Sequence, residues 1–399
     1  KETSMSISPA DESKQAVWRE IDRRKDELED LARTIHDNPE VKFEERKARD
    51  WLCDLLAWSG FRVEKGVGGL ETAFRAEFAG SEKGPRIGFL AEYDALPGIG
   101  HACGHNLIGP SSLGAALGLA GALPELSGSL VVVGTPGEEG GGGKVFLAEA
   151  DVFQDLDAAM MVHPSGGNIL WKRSLARRKL EIEFFGRSAH AASYPDRGIN
   201  ALDAVIQTFN AINALRQQME DSSRIHGIIS HGGESPNVIP DYSRALFYVR
   251  AMEDQACDDL LERVMECARG AAAATGCSVD MSMTGAYRAL KVNLPLAEAF
   301  AANGNNLGIE FEEVEPDKRL GSTDMGDVSQ RIPAIHPYLN IAQDGQDLVG
   351  HTHEFREAAC SEAGIQAMIL AAKAMAGTAV DILMDPDLRV RIQEAFVRR

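Results

Sequence analysis

Four short blocks in this chain carry metal-ligating side chains at the ends of apolar runs. They are His101-Ala-Cys103-Gly-His105-Asn106, Gly137-Glu138-Glu139-Gly140, Met161-Val-His163-Pro164 and His351-Thr352. In α/β sheets ligands gather at the carboxyl ends of strands, so the blocks ask for a fold that brings several strand ends together. A thiolate, several imidazoles and paired carboxylates suit a borderline divalent metal such as zinc or manganese. A second glutamate beside a liganding one is the proton acceptor that metal-dependent hydrolysis needs.

The pattern along the chain agrees. Residues 11–36 carry helical apolar periodicity (Val17, Ile21, Leu28, Leu31, Ile35) up to Asn38-Pro39, and a second helix spans 43–59 and stops at Gly60. Strands are expected at 72–78, 86–91, 130–134 and 158–162, with a Gly/Ala-rich helix from about 110 to 123. After Ala176 the order becomes strand 180–185, helix 199–219, strands 224–230 and 238–249, helix 256–275 and strand 278–284. That β-α-β-β-α-β order is ferredoxin-like. Longer helices and a strand at 334–341 follow. The expected fold is therefore α/β, with a mixed sheet flanked by helices formed by 1–174 and 292–399, and an inserted α+β domain at 175–291.

A length of 399 residues suits two domains, and 44% hydrophobic with 25% charged residues is ordinary for a soluble globular chain. A formal charge of −19 argues against nucleic acid and anionic membranes, which call for a basic surface. The Gly/Ala-rich stretch 113–123 is too short to cross a bilayer, and the polar Lys1–Met5 start has no signal-peptide core. Six cysteines without CxxC spacing read as reduced thiols, and the compartment expected is the cytoplasm. Cys103 differs from the other five because it stands between two histidines in a Gly-bounded loop.

Each block also has a bland reading. The Gly140–Lys144 run lacks the Ser/Thr that a phosphate loop needs after its lysine, so its glycines more simply let a helix begin after Glu139. Glu138-Glu139 could be a solvated acidic helix start. Successive residues at a strand-to-helix turn point different ways, however, so one carboxylate can ligate while its neighbour acts as base; spacing does not say which. His36, His231 and His336 read as structural or surface groups, and His101 and His226 are weaker candidates. His351 and His353 are not distinguished by spacing. His105, His163 and His351 each share a loop with another candidate ligand or follow a strand end.

These residues resemble the M20 family of metallopeptidases, in its amidohydrolase branch. The matching stretches include Ala91–Asn106, Gly134–Lys144, Gly186–Ala192, Ser235–Pro240, Ser322–Gly326 and His351-Thr352, spread over both expected domains. The resemblance implies two neighbouring metal sites bridged by Cys103, with His105 and His163 on one ion and Glu139 and His351 on the other. It makes Glu138 the general base and acid, and Asp94 a carboxylate that orients a ligand. His190 matches a histidine that, in family dimers, reaches the partner's site to stabilise the oxyanion. Asn237 matches a substrate-holding residue. One or two divalent ions per subunit (Mn2+ or Zn2+, with Co2+ also suitable), a small-molecule substrate and a homodimer through the inserted domain are implied. Glu92-Tyr93-Asp94 replaces the His-x-Asp of relatives outside this branch. Asn106 and His353 replace an Asp and a Pro of many amidohydrolases, which points to an unusual substrate or a weaker second metal site.

Metal-dependent cleavage of an amide C–N bond in a small N-acyl amino acid, aminobenzoyl conjugate or unusual dipeptide is the function expected. An aminohydrolase releasing ammonia from a small amine, and a non-catalytic binding protein on the same fold, are the alternatives.

Overall fold

The computed structural model describes residues 8–123, 127–313, 320–343 and 345–398; Lys1–Met5 lie outside them. The chain divides into two compact units, one of residues 1–173, 291–319 and 327–399, the other of Ser174–Leu290 and Leu320–Gly326.

The first unit opens with α1 (Pro9–Arg23), α2 (Lys25–Asp37) and α3 (Arg46–Trp58). It continues through β1 (Arg62–Lys65), β2 (Phe74–Ala79), β3 (Glu82–Ala91), α4 (His105–Ala122), β4 (Ser127–Gly134), α5 (Gly143–Glu149), β5 (Ala158–Met160) and β6 (His163–Ser165). The second unit holds β7 (Ala176–Phe185), α6 (Ala201–Leu215), β8 (Arg224–His231), β9 (Tyr242–Ala251), α7 (Asp254–Thr275) and β10 (Ser278–Tyr287). Then come α8 (Leu294–Asn306), α9 (Met325–Ser329), β11 (Ala334–Ile335), β12 (Tyr338–Asn340), α10 (His353–Ala358), α11 (Glu362–Met384) and α12 (Pro386–Val397).

The sheet of the first unit has the order β1-β2-β4-β3-β5-β11. Its centre is parallel and its β1-β2 edge antiparallel, the mixed sheet expected. Leu90 pairs with Val133 and Ala91 with Gly134, so β3 and β4 end level, and Glu92 and Thr135 leave the sheet side by side. The apolar run 334–341, expected as one strand, is two. Its halves part at His336-Pro337: β11 continues the main sheet beside β5, and β12 pairs with β6 in a small second sheet. Proline has no N–H to give a ladder, which suits the break.

The helices differ from the sequence pattern at two points. The helix expected over 11–36 is interrupted at Arg24, whose N–H bonds back to Glu20 and Ile21 carbonyls, and both pieces bury their apolar stripe. The Gly/Ala-rich helix begins at His105, ahead of the expected start, with Pro110 inside it. Nearly all of α4 is buried, in one core with α1, α2, α3, α8 and α11. A longer apolar stretch than 113–123 exists in helix α11: Glu362–Met384 is long and apolar enough to cross a membrane. Its residues are mostly buried in the core, as a central helix of a folded unit would be.

The second unit is a four-stranded antiparallel sheet, β10-β7-β9-β8, with α6 and α7 packed on it. Along β9 alternate residues Ser243, Ala245, Phe247, Val249 and Ala251 are buried, the period of a half-covered strand. Among the described residues strand β8 pairs only with β9, and it carries Ile228 and Ile229 at 62% and 44% exposure.

Candidate metal centre

The blocks converge in the first unit. One group of ligand atoms within 4.8 Å of one another comes from Cys103, His105 and His163, and a second from Cys103, Glu139 and His351. Cys103 belongs to both. A third group joins His105, Glu138 and Glu139, so Glu138 sits beside the ligand cluster without sharing the thiol's groups.

Local structure explains the convergence. Gly104 precedes α4 with φ +78°, and a Cβ there would lie 2.8 Å from Pro164 Cγ. Only glycine lets the Cys103 loop press against the residue after His163, bringing Cys103 Sγ to 3.5 Å from His163 Nε2. Gly137, at φ +70°, turns the chain into Glu138-Glu139, and its missing Cβ leaves room for the Phe43 ring. Two buried carboxylates hold this turn: Gly137 N–H donates to Glu45 Oε1 and Glu139 N–H to Asp94 Oδ2, both at 2.9 Å. His351 has φ +65°, a left-handed conformation uncommon for a side-chain-bearing residue, and its N–H donates to the Ala102 carbonyl at 2.8 Å. The strained turn thereby sets the imidazole against the Cys103 loop.

The hydrogen bonds also decide which imidazole nitrogens face the cluster. His105 Nδ1 lies 3.0 Å from Asp94 Oδ1, and His163 Nδ1 lies 2.6 Å from the Pro164 carbonyl. A proton on each Nδ1 leaves both Nε2 lone pairs for a ligand. His105 Nε2 and Glu139 Oε1 are buried without a hydrogen-bond partner, although Glu92 Oε2 and His351 Nε2 approach them at 3.3 Å. Ligand-type atoms converging around a shared sulfur fit a divalent cation.

Charges are strongly perturbed. Burial raises the Cys103 pKa, but His163 and His105 outweigh it and bring it down to about 6. Burial also disfavours the Asp94 carboxylate, yet His105 and the Glu139 N–H hold it below its ordinary value. His105 itself is raised well above normal, burial being overcome by Asp94, Cys103 and Glu92. Glu139 is lowered, His351 and His105 prevailing over burial. Hydrogen bonding to Cys103 and Glu139 pushes His351 up to about 10.

His190 and Asn237 lie in the second unit, both exposed and adjacent to each other. His190 bridges to Val238, and the Ala191 N–H donates to the Asn237 carbonyl at 3.0 Å. His190 Nδ1 accepts from the Ser193 and Ala192 amides, which turns Nε2 outward as the free nitrogen. Asn106 donates its amide to the Ala359 carbonyl at 2.9 Å, while its Oδ1 is buried without a hydrogen-bond partner. His353 opens α10.

Several residues near the cluster gave no sequence signal. His336, read as structural or surface, is buried with its ring 5.6 Å from that of His163. Lys144 is fully buried and ion-paired with Glu92. Glu45 is fully buried behind the Glu138-Glu139 turn. Tyr338 stands opposite His163 in the β12-β6 register, and the Lys172 ammonium lies over its ring. Each reaches the site by tertiary packing.

The M20-type peptidase dimerisation domain matches residues 175–275. The chain is 42% identical to the Xaa-Arg dipeptidase of Mus musculus over 94% of its length and 90% of that protein. It is 31% identical to a p-aminobenzoyl-glutamate hydrolase chain of Escherichia coli over 94% of its length and 92% of that protein. Among solved structures, a dinuclear metal-binding peptidase of the M20 family from Bacillus subtilis superposes with a TM-score of 0.69 at 22% identity, over 91% of this chain and 99% of that one. The chain belongs to the M20 family of metallopeptidases and is a hydrolase of that family.

Proposed function

We propose that this chain hydrolyses the amide C–N bond of a small dipeptide, N-acyl amino acid or aminobenzoyl conjugate at the Cys103 centre. The two overlapping ligand groups that share Cys103, with Glu138 beside them, carry this reading. Cys103, His105 and His163 would hold one divalent ion, and Cys103, Glu139 and His351 a second; manganese, zinc or cobalt suits this donor set. Bound there, the metal supplies Lewis acidity toward the substrate carbonyl and toward water. Glu138 takes a proton from that water at its carboxylate and returns it to the leaving nitrogen. Asp94 keeps the proton on His105 Nδ1, and Glu45 and Asp94 fix the turn that aims Glu138.

The dimerisation-domain match and the open, apolar edge of β8 support a homodimer through the second unit. In it the free Nε2 of His190 donates to the oxyanion in the partner's site, and Asn237 beside it binds substrate. The free state of the described cysteines supports a reducing, cytoplasmic location.

The test is a hydrolysis screen of metal-reconstituted protein on dipeptides and N-acyl amino acids, scoring both organic amine and ammonia. Organic amine from wild type, with a roughly 10²–10⁴-fold loss in Glu138→Gln at unchanged metal content, is the expected result. Ammonia as the sole amine product would assign an aminohydrolase instead. Metal binding without turnover of any amide would overturn catalysis.

A further inference from the structure

Lys172 lies at the end of the first unit's first segment, at the edge of the ligand cluster. Its Nζ stands 3.9 Å from the centroid of the Tyr338 ring. That ring lies 5.6 Å from the ring of His163. Ile169 and Tyr338 exchange backbone hydrogen bonds of 2.9 and 2.8 Å, which anchors the segment carrying Lys172 to β12. One aromatic ring therefore neighbours both the ammonium and a residue of the ligand cluster.

The ammonium has no counter-ion among the described residues. Among the described residues Lys172 makes no ion pair and no hydrogen bond; its contact is the Tyr338 face. Other buried lysines of the same unit are paired, Lys144 with Glu92 and Lys14 with Asp381 at 2.7 Å. Burial lowers the Lys172 pKa, and the one group that counters it is the Cys103 thiolate. A half-buried cation over an aromatic face, beside a reaction centre and without an anion, is an incomplete pair.

We propose that Lys172 completes its pair with the substrate, binding a free carboxylate on the amino-acid side of the scissile amide. Lys172 is then the residue that makes the site prefer an amide whose leaving amino acid keeps an ionised carboxylate over the same amide with that group neutralised. The proposal rests on the amide-hydrolase reading above and deepens it. The Tyr338 face holds the lysine head, so the charge is positioned before substrate arrives. The step is a binding one, with no bond made or broken.

The experiment compares alanyl-arginine with its C-terminal amide on wild type, Lys172→Met and Lys172→Arg, all metal-reconstituted and checked for equal metal content. In wild type kcat/KM should favour the free acid. In Lys172→Met that preference should fall by roughly 10–100-fold, mainly through KM, the scale of losing a hydrogen bond to a charged group. Lys172→Arg should keep most of it, because the charge remains. A Lys172→Met enzyme with the wild-type acid-to-amide preference overturns the inference and leaves the hydrolase reading standing. Should wild type cleave neither peptide, calorimetric binding of arginine against argininamide takes over as the test, and the hydrolase reading is judged by its own screen. Tighter binding of arginine that disappears in Lys172→Met then upholds the carboxylate site, and an unchanged difference overturns it.

Discussion

Glu45→Gln should remove a pH-dependent liability from the first unit. Glu45 is fully buried, and its Oε2 has no hydrogen-bond partner while Oε1 accepts from Gly137. Burial first, and then the charge of Asp94, raises its pKa from 4.5 to about 7. The folded state therefore holds this proton more tightly than the unfolded state does. Below the unfolded value both states are protonated and the contribution is complete. Between about 4.5 and 7 the unfolded chain ionises while the folded one does not, so stability falls; above that range the loss is constant. A shift of this size corresponds to about 3 kcal/mol at 1.36 kcal/mol per unit. Glutamine retains the acceptor for Gly137 and cannot ionise, so the stability difference between variant and wild type should move by about 3 kcal/mol toward the variant from pH 4.5 to pH 8. Whatever pH-independent cost the new amide brings cancels in that comparison. All four tryptophans (18, 51, 58 and 171) belong to the first unit, so urea unfolding followed by tryptophan fluorescence in chelator reports on it. A difference that stays flat with pH, or moves toward wild type, would refute the assignment of a buried, proton-holding Glu45.

Three further outcomes are expected. Metal affinity should rise steeply with pH and binding should release protons, because His351 is pushed up to about 10 by Cys103 and Glu139 and must lose its proton to ligate; calorimetry in buffers of different ionisation enthalpy counts them, and zero release would contradict a ligand role. Gly104→Ala should weaken metal binding by about tenfold or more, since the left-handed strain of roughly 1–2 kcal/mol is joined by a clash with Pro164. Gly98→Ala, equally left-handed with open space around it, should show the strain in stability alone and is the control. His190→Ala mixed with Glu138→Gln should recover activity toward a quarter of wild type after subunit exchange, because about half of the dimers are mixed and each of those has one intact site; no recovery despite demonstrated exchange would remove His190 from the partner's site.

The parts of the site that were legible in the sequence are those whose chemistry and backbone demands fall in one short block. The Cys103 loop is recognisable because ligand-type residues alternate with a glycine whose positive φ the turn requires, and Glu138-Glu139 because the pair follows a strand directly. The β-α-β-β-α-β order of the second unit was readable from period-two alternation, since one face of its sheet is covered and each strand repeats that asymmetry. What stayed hidden depends on residues far apart in sequence meeting in space. Nothing near Glu45 announces that it will cap the turn at Gly137, and Lys144 looked like a failed phosphate loop when it is the partner of Glu92. The run 334–341 misled for a related reason. Apolar content marks it as buried strand, but the step at His336-Pro337 between two sheets follows from β5 and β6 making the same step beside it. That paired step carries Tyr338 to His163, and with it the lysine whose unpaired charge gives the site its proposed preference for a carboxylate.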